Sequence, residues 1–222
     1  MSKKDNIIKN LNEIREKMGQ AAKKAGRSPD SVRLIPVTKT VDIPTTQIIH
    51  DLGFNELGEN RVEAAEEKIE SMSSAIKWHM IGTIQRRKAK LAARLFDRVD
   101  SVDRLSLAQE LNKRCLEIEK RMEILIQVNI SGEDSKQGVG QEELGAVLDE
   151  IQKMENLDVK GLMTMAPATS TETEIRGYFQ SMRELSEQNA LSELSMGMTN
   201  DYEWAIEEGA TEVRIGSAIF KA

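Results

Sequence analysis

Lys39 is the residue around which the chemistry of this chain would have to be organised. It follows the apolar run Leu34-Ile35-Pro36-Val37-Thr38, and a lysine becomes a Schiff-base former when burial or a nearby cation leaves its amine partly neutral. Far along the chain, Ser195-Met196-Gly197-Met198-Thr199-Asn200-Asp201 and Arg214-Ile215-Gly216-Ser217 gather hydroxyls, glycines and a cation. Gly197 would let backbone approach an anion closely, and Thr199 or Asn200 is placed to cap a helix whose first N–H groups favour negative charge. An amine beside an anion cradle suits a phosphorylated aldehyde. Each part also has a plain structural explanation: a solvated loop lysine, a strand-to-helix turn with its cap, and a strand bulge at Gly216. The choice depends on whether the fold brings them together.

Short apolar runs bounded by polar or glycine punctuation predict strands at Leu34–Thr38, Phe54–Leu57, Lys77–Ile81, Arg98–Val102, Met122–Ile130, Leu157–Met163, Glu193–Met196 and Glu212–Ile219. Amphipathic stretches of helical length lie between them: Ile43–Leu52, Arg61–Ser73, Gln85–Leu95, Arg104–Lys120, Glu142–Met154, Glu172–Gln188 and Thr199–Glu208. Strand and helix alternate, with no helix expected after the last strand. The pattern predicts an α/β chain, a single (β/α)8 TIM barrel. An open doubly wound sheet is the competing architecture, but it usually begins with a Gly-rich turn, and Val37-Thr38-Lys39-Thr40 contains none. In a barrel the first and last strands are neighbours, and the loops after strands seven and eight often bind phosphate.

The length of 222 residues, 39% hydrophobic content and lack of a Pro/Gly/Ser-rich linker predict one domain over 1–222. Ile7, Ile8, Leu11, Ile14, Met18 and Ala21 fall at helical spacing, so residues 1–26 should carry an extra N-terminal helix, Asp5–Ala25, packed on the barrel's bottom or side and stopped by Gly26.

A net charge of −6 gives no general attraction to nucleic acid or anionic lipid. The basic run Arg86-Arg87-Lys88-Ala89-Lys90 has no interleaved aromatics and reads as a solvated helix start. Cys115 is the only cysteine, which excludes an intrachain disulfide and fits a small buried hydrophobe. The start Met-Ser-Lys-Lys lacks an apolar signal core and no stretch approaches membrane-spanning length, pointing to the cytoplasm. No HExxH, paired cysteine or clustered carboxylate motif supports a metal site.

Leu57-Gly58-Glu59-Asn60-Arg61 and Trp78-His79-Met80-Ile81-Gly82 should also line the mouth. They offer an amide, a guanidinium and an imidazole. Strand alternation turns His79 away from Trp78 and Met80, towards either a hydrogen-bonded core role or a ligand; His50 reads as structural.

At these residues the sequence resembles the YggS/PROSC family of pyridoxal 5′-phosphate homeostasis proteins. Val128-Asn129-Ile130-Ser131 and Gly161-Leu162-Met163-Thr164-Met165 extend the resemblance over nearly the whole chain beyond the first helix. It implies a barrel like the N-terminal domain of alanine racemase, with pyridoxal 5′-phosphate (PLP) held as an internal aldimine on Lys39. By the same matching, Ser195, Gly197, Thr199, Gly216 and Ser217 would hold the phosphate. Asn60 and His79 would lie near the cofactor, and Arg214 by the pyridine nitrogen or phosphate. Thr199 stands where the family more often has Ser, and Ser217 where it has Thr; both swaps keep a hydroxyl. Thr83-Ile84-Gln85-Arg86-Arg87-Lys88 replaces the usual Pro-Leu-Gln-Ser-Asn-Lys and adds two positive charges.

Barrel-type racemases take a second base, a tyrosine, from an additional β-domain that is not expected here. The only tyrosines are Tyr178, in mid-helix, and Tyr202, read as a helix-surface residue. If Arg214 faces the pyridine nitrogen, the ring is a weak electron sink. The expectation is a protein that stores, buffers or delivers PLP with little or no catalysis, whose partners include PLP-dependent apoenzymes; the resemblance implies a monomer. A PLP-dependent amino-acid racemase or lyase is the alternative, and a cofactor-free Schiff-base aldolase a third class.

Overall fold

The computed structural model describes residues 2–133 and 136–221. The chain opens with α1 (Lys3–Lys24), where the Ser2 side chain accepts from the Asp5 N–H and Asp5 reaches back to the Ser2 N–H. Its buried stripe, Ile7, Leu11, Ile14, Met18 and Ala21, repeats at three and four residues. Gly26, at φ +69, ends the helix, with Gly26 N–H on Lys23 O and Arg27 N–H on Ala22 O.

Eight parallel strands follow: β1 (Arg33–Pro36), β2 (Glu56–Glu59), β3 (Lys77–Met80), β4 (Arg98–Val102), β5 (Met122–Gln127), β6 (Leu157–Met163), β7 (Glu193–Ser195) and β8 (Glu212–Ile215). Each leads into a helix: α2 (Ile43–Asp51), α3 (Val62–Ser71), α4 (Ala89–Leu95), α5 (Leu105–Glu117), α6 (Leu144–Ile151), α7 (Glu172–Gln188), α8 (Tyr202–Glu207) and α9 (Ser217–Phe220). The hydrogen-bonded order is β1-β8-β7-β6-β5-β4-β3-β2. Its two ends meet at the mouth through a Val37–Gly58 bridge, with Thr38 N–H donating to Gly58 O at 3.0 Å. The barrel expected from the alternation is therefore present. No helix among the described residues is long and apolar enough to cross a membrane.

Several boundaries differ from the sequence reading. β5 stops at Gln127 rather than Ile130, and β8 stops at Ile215, so Ser217 opens a short helix instead of continuing a strand. The last strand thus has its own helix, and α1 packs beside it: Asn10 Nδ2 donates to Ile219 O and Lys221 O, both at 3.0 Å. This puts α1 on the barrel's side. The helix after β7 starts at Tyr202, with Asp201 as its N-cap residue, so neither Thr199 nor Asn200 is a cap. The turn 198–201 closes first, because Met198 N–H donates to Asp201 Oδ1 at 2.6 Å.

The outward faces of the strands are apolar: Leu57, Trp78, Met80, Val99, Leu194, Val213 and Ile215 are all buried. Inside, where barrels usually stack branched aliphatic residues, this one holds charges. Six strands begin with a charged residue: Lys77 is exposed, while Arg33, Glu56, Arg98, Glu193 and Glu212 join one network. Arg33 and Arg98 bridge Glu193, at 2.7 and 2.6 Å, and Glu212, at 3.0 and 3.3 Å. One layer higher lie His79, Asp100, Ser195 and Arg214.

Candidate functional site

At the carboxyl ends of the strands, β7 and β8 are pinned together by Arg214 N–H on Gly197 O at 3.0 Å. Gly197 has φ +95, and a Cβ there would come within 2.6 Å of Ala205 Cβ and 2.9 Å of Tyr202 Cα. Only glycine fits so tight a return into α8. The turn presents Thr199 beside Ser217, with Thr199 Oγ1 and Ser217 Oγ 3.0 Å apart and solvent-facing. Among the described residues, no protein acceptor takes the N–H groups of Thr199, Asn200, Ser217 or Ala218.

The β1 tip lies against this cradle. Val37 N–H donates to Ile215 O at 2.8 Å, and a Cβ on Gly216 would stand 3.1 Å from Val37 O. Lys39, two residues further on, is an exposed turn residue beyond β1. An amine and a pair of free hydroxyls thus share one end of the barrel.

Other residues singled out from the sequence occupy different environments. Asn60, half-buried, follows β2 at the same end. Ser195 does not join the hydroxyl pair: it is fully buried, its Oγ donates to Glu212 Oε1 at 2.8 Å and accepts from Arg214 Nη1 at 2.6 Å. Arg214 also donates from Nη2 to Thr164 O at 2.9 Å. Burial pulls the Arg214 guanidinium below its ordinary pKa, against the opposing pull of Asp100, Glu212 and Asp201; a guanidinium stays charged regardless.

His79 is buried between two carboxylates, with Nδ1 3.5 Å from Asp100 Oδ2 and Nε2 3.5 Å from Glu56 Oε2. Of the two roles open to it, the core one describes these contacts. Burial alone would lower its pKa, but Asp100, Glu56 and Glu212 outweigh burial and raise it to about 9. Asp100 is held down at about 2: burial opposes, while Arg98 and His79 prevail. Glu56 is brought to about 2, chiefly by His79. His79 is therefore an imidazolium at neutral pH. It completes a balanced set, in which Arg33, Arg98, Arg214 and His79 face Glu56, Asp100, Glu193 and Glu212.

Glu56, His79 and Glu212 offer ligand atoms within 4.8 Å of one another. Arg33 and Arg98 already neutralise these carboxylates, so a cation there would face two guanidiniums. Tyr202 is not a helix-surface residue. It is buried, beside a crevice shared with Asn10, Ile14 and Lys17 of α1, and burial pushes its hydroxyl up to about 12. Cys115 is buried as expected, and burial raises its thiol pKa.

Asp100, Glu193 and Glu212 are partners inside the barrel that the motifs do not single out; for Glu193 and Glu212 the available signal is a charged residue opening an otherwise apolar run.

The chain matches the family described as "Alanine racemase, N-terminal domain" over residues 4–222. A pyridoxal phosphate homeostasis protein of Aquifex aeolicus (strain VF5) is 36% identical over 222 residues, covering 97% of each chain. The structure of PipY from Synechococcus elongatus PCC7942 with PLP bound superposes with a TM-score of 0.83 at 30% identity, covering 97% of this chain and all of that one. An alanine racemase from Clostridium difficile 630 shares the fold, with a TM-score of 0.75 at 13% identity, and this chain spans 57% of it. On full-length identity above 30% and the match to the racemase N-terminal domain, the chain belongs to the family of pyridoxal phosphate homeostasis proteins.

Proposed function

We propose that this protein binds PLP at the barrel mouth and stores, buffers or delivers it, with little or no catalysis of its own. The observation that carries the reading is the contact of the β1 tip, two residues short of Lys39, with the loop bearing Gly216 and Ser217. The donor set fits the cofactor. Thr199 and Ser217 would take the phosphate with nearby backbone N–H groups, Gly197 and Gly216 leaving room for it, and Lys39 Nζ would meet the aldehyde. Arg214 would face the ring nitrogen from the buried layer below, with Asn60 at the rim. Ser195 and His79 would act from beneath, through Arg214 and the buried charges, rather than on the cofactor itself.

When bound, the cofactor supplies an aldehyde that condenses reversibly with amines and a ring able to accept electrons. The protein's residues favour holding over turnover. A guanidinium at the ring nitrogen cannot deliver a proton to it, which weakens that acceptor. Tyr202, packed beside α1 with its hydroxyl raised to about 12, is no base for a substrate α-carbon. An exposed Lys39 leaves the aldehyde accessible to an incoming amine, which suits transfer to PLP-dependent apoenzymes by a monomer.

Borohydride reduction of the PLP-loaded protein followed by peptide mapping tests the assignment. The pyridoxyl label is expected on Lys39, and Lys39→Ala should abolish it while the protein still unfolds at the same temperature. Label on another lysine in the unmodified protein would overturn the site.

A further inference from the structure

We propose that Thr38, Glu59 and Lys68 form a clasp that orients Lys39, making Glu59 and Lys68 positioning residues for aldehyde capture. The inference rests on the reading of Lys39 above. β1 is laddered to β8 along all four of its residues, but among the described residues its backbone bonds to β2 only at the mouth end, through the Val37–Gly58 bridge and the Thr38 N–H bond to Gly58 O; at the other end Arg33 and Glu56 are 3.7 Å apart. Lower down, the seam opens into a cleft of about 310 Å³ between Arg33–Ile35 and Gly53–Glu56.

Where the two strands do meet, side chains close the seam. Lys68 reaches in from α3 and donates to Glu59 Oε1 at 2.6 Å and to Thr38 O at 2.8 Å. Thr38 Oγ1 donates to the same Glu59 Oε1 at 2.7 Å. All three residues are buried. A buried ion pair is a poor means of gaining stability, since apolar side chains of similar volume often serve as well or better. What these bonds supply is direction. The Thr38 carbonyl belongs to the rigid peptide plane that ends at Lys39 Cα, so the Lys68 bond fixes the plane from which the Lys39 side chain departs. Lys39 itself is exposed and lies outside the strand, where no ladder restrains it.

Capture requires that orientation. Neutral Lys39 Nζ adds to the aldehyde carbon and gives up two protons; the carbonyl oxygen leaves as water and a C=N bond replaces C=O. Misplacing an attacking atom by about 1 Å can cost on the order of a hundredfold in rate.

The test compares PLP with pyridoxamine 5′-phosphate, which has the same ring and phosphate but no aldehyde. Thr38→Val keeps the shape and removes the hydroxyl, and the paired change Glu59→Gln with Lys68→Met removes the charges without stranding one. In both, the rate of PLP capture, followed by absorbance and by borohydride-fixed label on Lys39, should fall roughly tenfold or more. Affinity for pyridoxamine 5′-phosphate should not change, and Thr38→Ser should recover the capture rate. Capture at the original rate in both variants would overturn the clasp. So would a parallel loss of both ligands with a lowered unfolding midpoint, which would make the trio a packing element only. If the unmodified protein gives no label on Lys39, the reading of the site fails first, and the clasp with it.

Discussion

The lumen of the barrel and its mouth are only a strand's length apart, yet they are built on opposite terms. In the lumen, Arg33, Arg98, Arg214 and His79 are matched against Glu56, Asp100, Glu193 and Glu212, with Ser195 hydrogen-bonded between Glu212 and Arg214. At the mouth, among the described residues, the Thr199 and Ser217 hydroxyls bond only to each other, and Lys39 is exposed. Charges closed on one another inside give shape and a fixed guanidinium below the site; uncommitted hydroxyls and an amine above leave capacity for a ligand. Charge by itself therefore does not locate the site in this molecule. The densest cluster of charges is the one whose members already face one another.

That contrast can be broken from the lumen side first. Arg98→Met removes a cation that touches Asp100, Glu193 and Glu212, and leaving Asp100 and Glu212, both buried, short of a partner should cost ~3–5 kcal/mol in chemical denaturation. A loss under about 1 kcal/mol would mean that water reaches the lumen and the ion network counts for little.

The second effect is the pH dependence of the cofactor-free protein. The folded pKa of His79, about 9, lies above its ordinary value of 6.5. Its contribution is fully present below about pH 6.5 and is lost as pH rises through about 9, amounting to at most about 3 kcal/mol. Unfolding free energy measured between pH 6 and 10 should fall across that window, and His79→Gln should flatten the curve. A flat profile in the unmodified protein would show that the lumen tolerates a neutral imidazole.

At the mouth the expected pattern reverses. Ser217→Ala should leave the cofactor-free protein within ~0.5 kcal/mol of its original stability, because the hydroxyl is exposed and, among the described residues, bonds only Thr199. PLP affinity should weaken by ~1.5–3 kcal/mol, the worth of a hydrogen bond to a charged group. Equilibrium dialysis checks it, and undiminished affinity would move the phosphate elsewhere.

The mouth was more legible in the sequence than the lumen. Glycine, hydroxyl and lysine at the ends of apolar runs are local signals, and Gly197 does occupy the positive-φ turn its type allows. The α1 stripe and the alternation of strands and helices were legible for the same reason: periodicity is written in consecutive residues. The strand expected over Glu212–Ile219 ends at Ile215: Ala218 and Ile219 are apolar enough to continue a strand, and only the break at Gly216 turns them into α9. Tyr202 was misread because nothing local tells that α1 covers the start of α8.

The sequence by itself determined the order of the elements, the extra first helix, the family resemblance, and the residue types available at each strand end. The tertiary structure alone decided which of them meet. Ser195 lies two residues from Gly197 and four from Thr199, yet strand alternation and the approach of Glu212 and Arg214 turn its hydroxyl into the lumen. Glu59 and Lys68 lie on separate elements and look like ordinary surface charges until the β1–β2 seam closes over them. Ion pairing inside a barrel depends on the stagger between strands far apart in sequence, and no spacing along the chain encodes it.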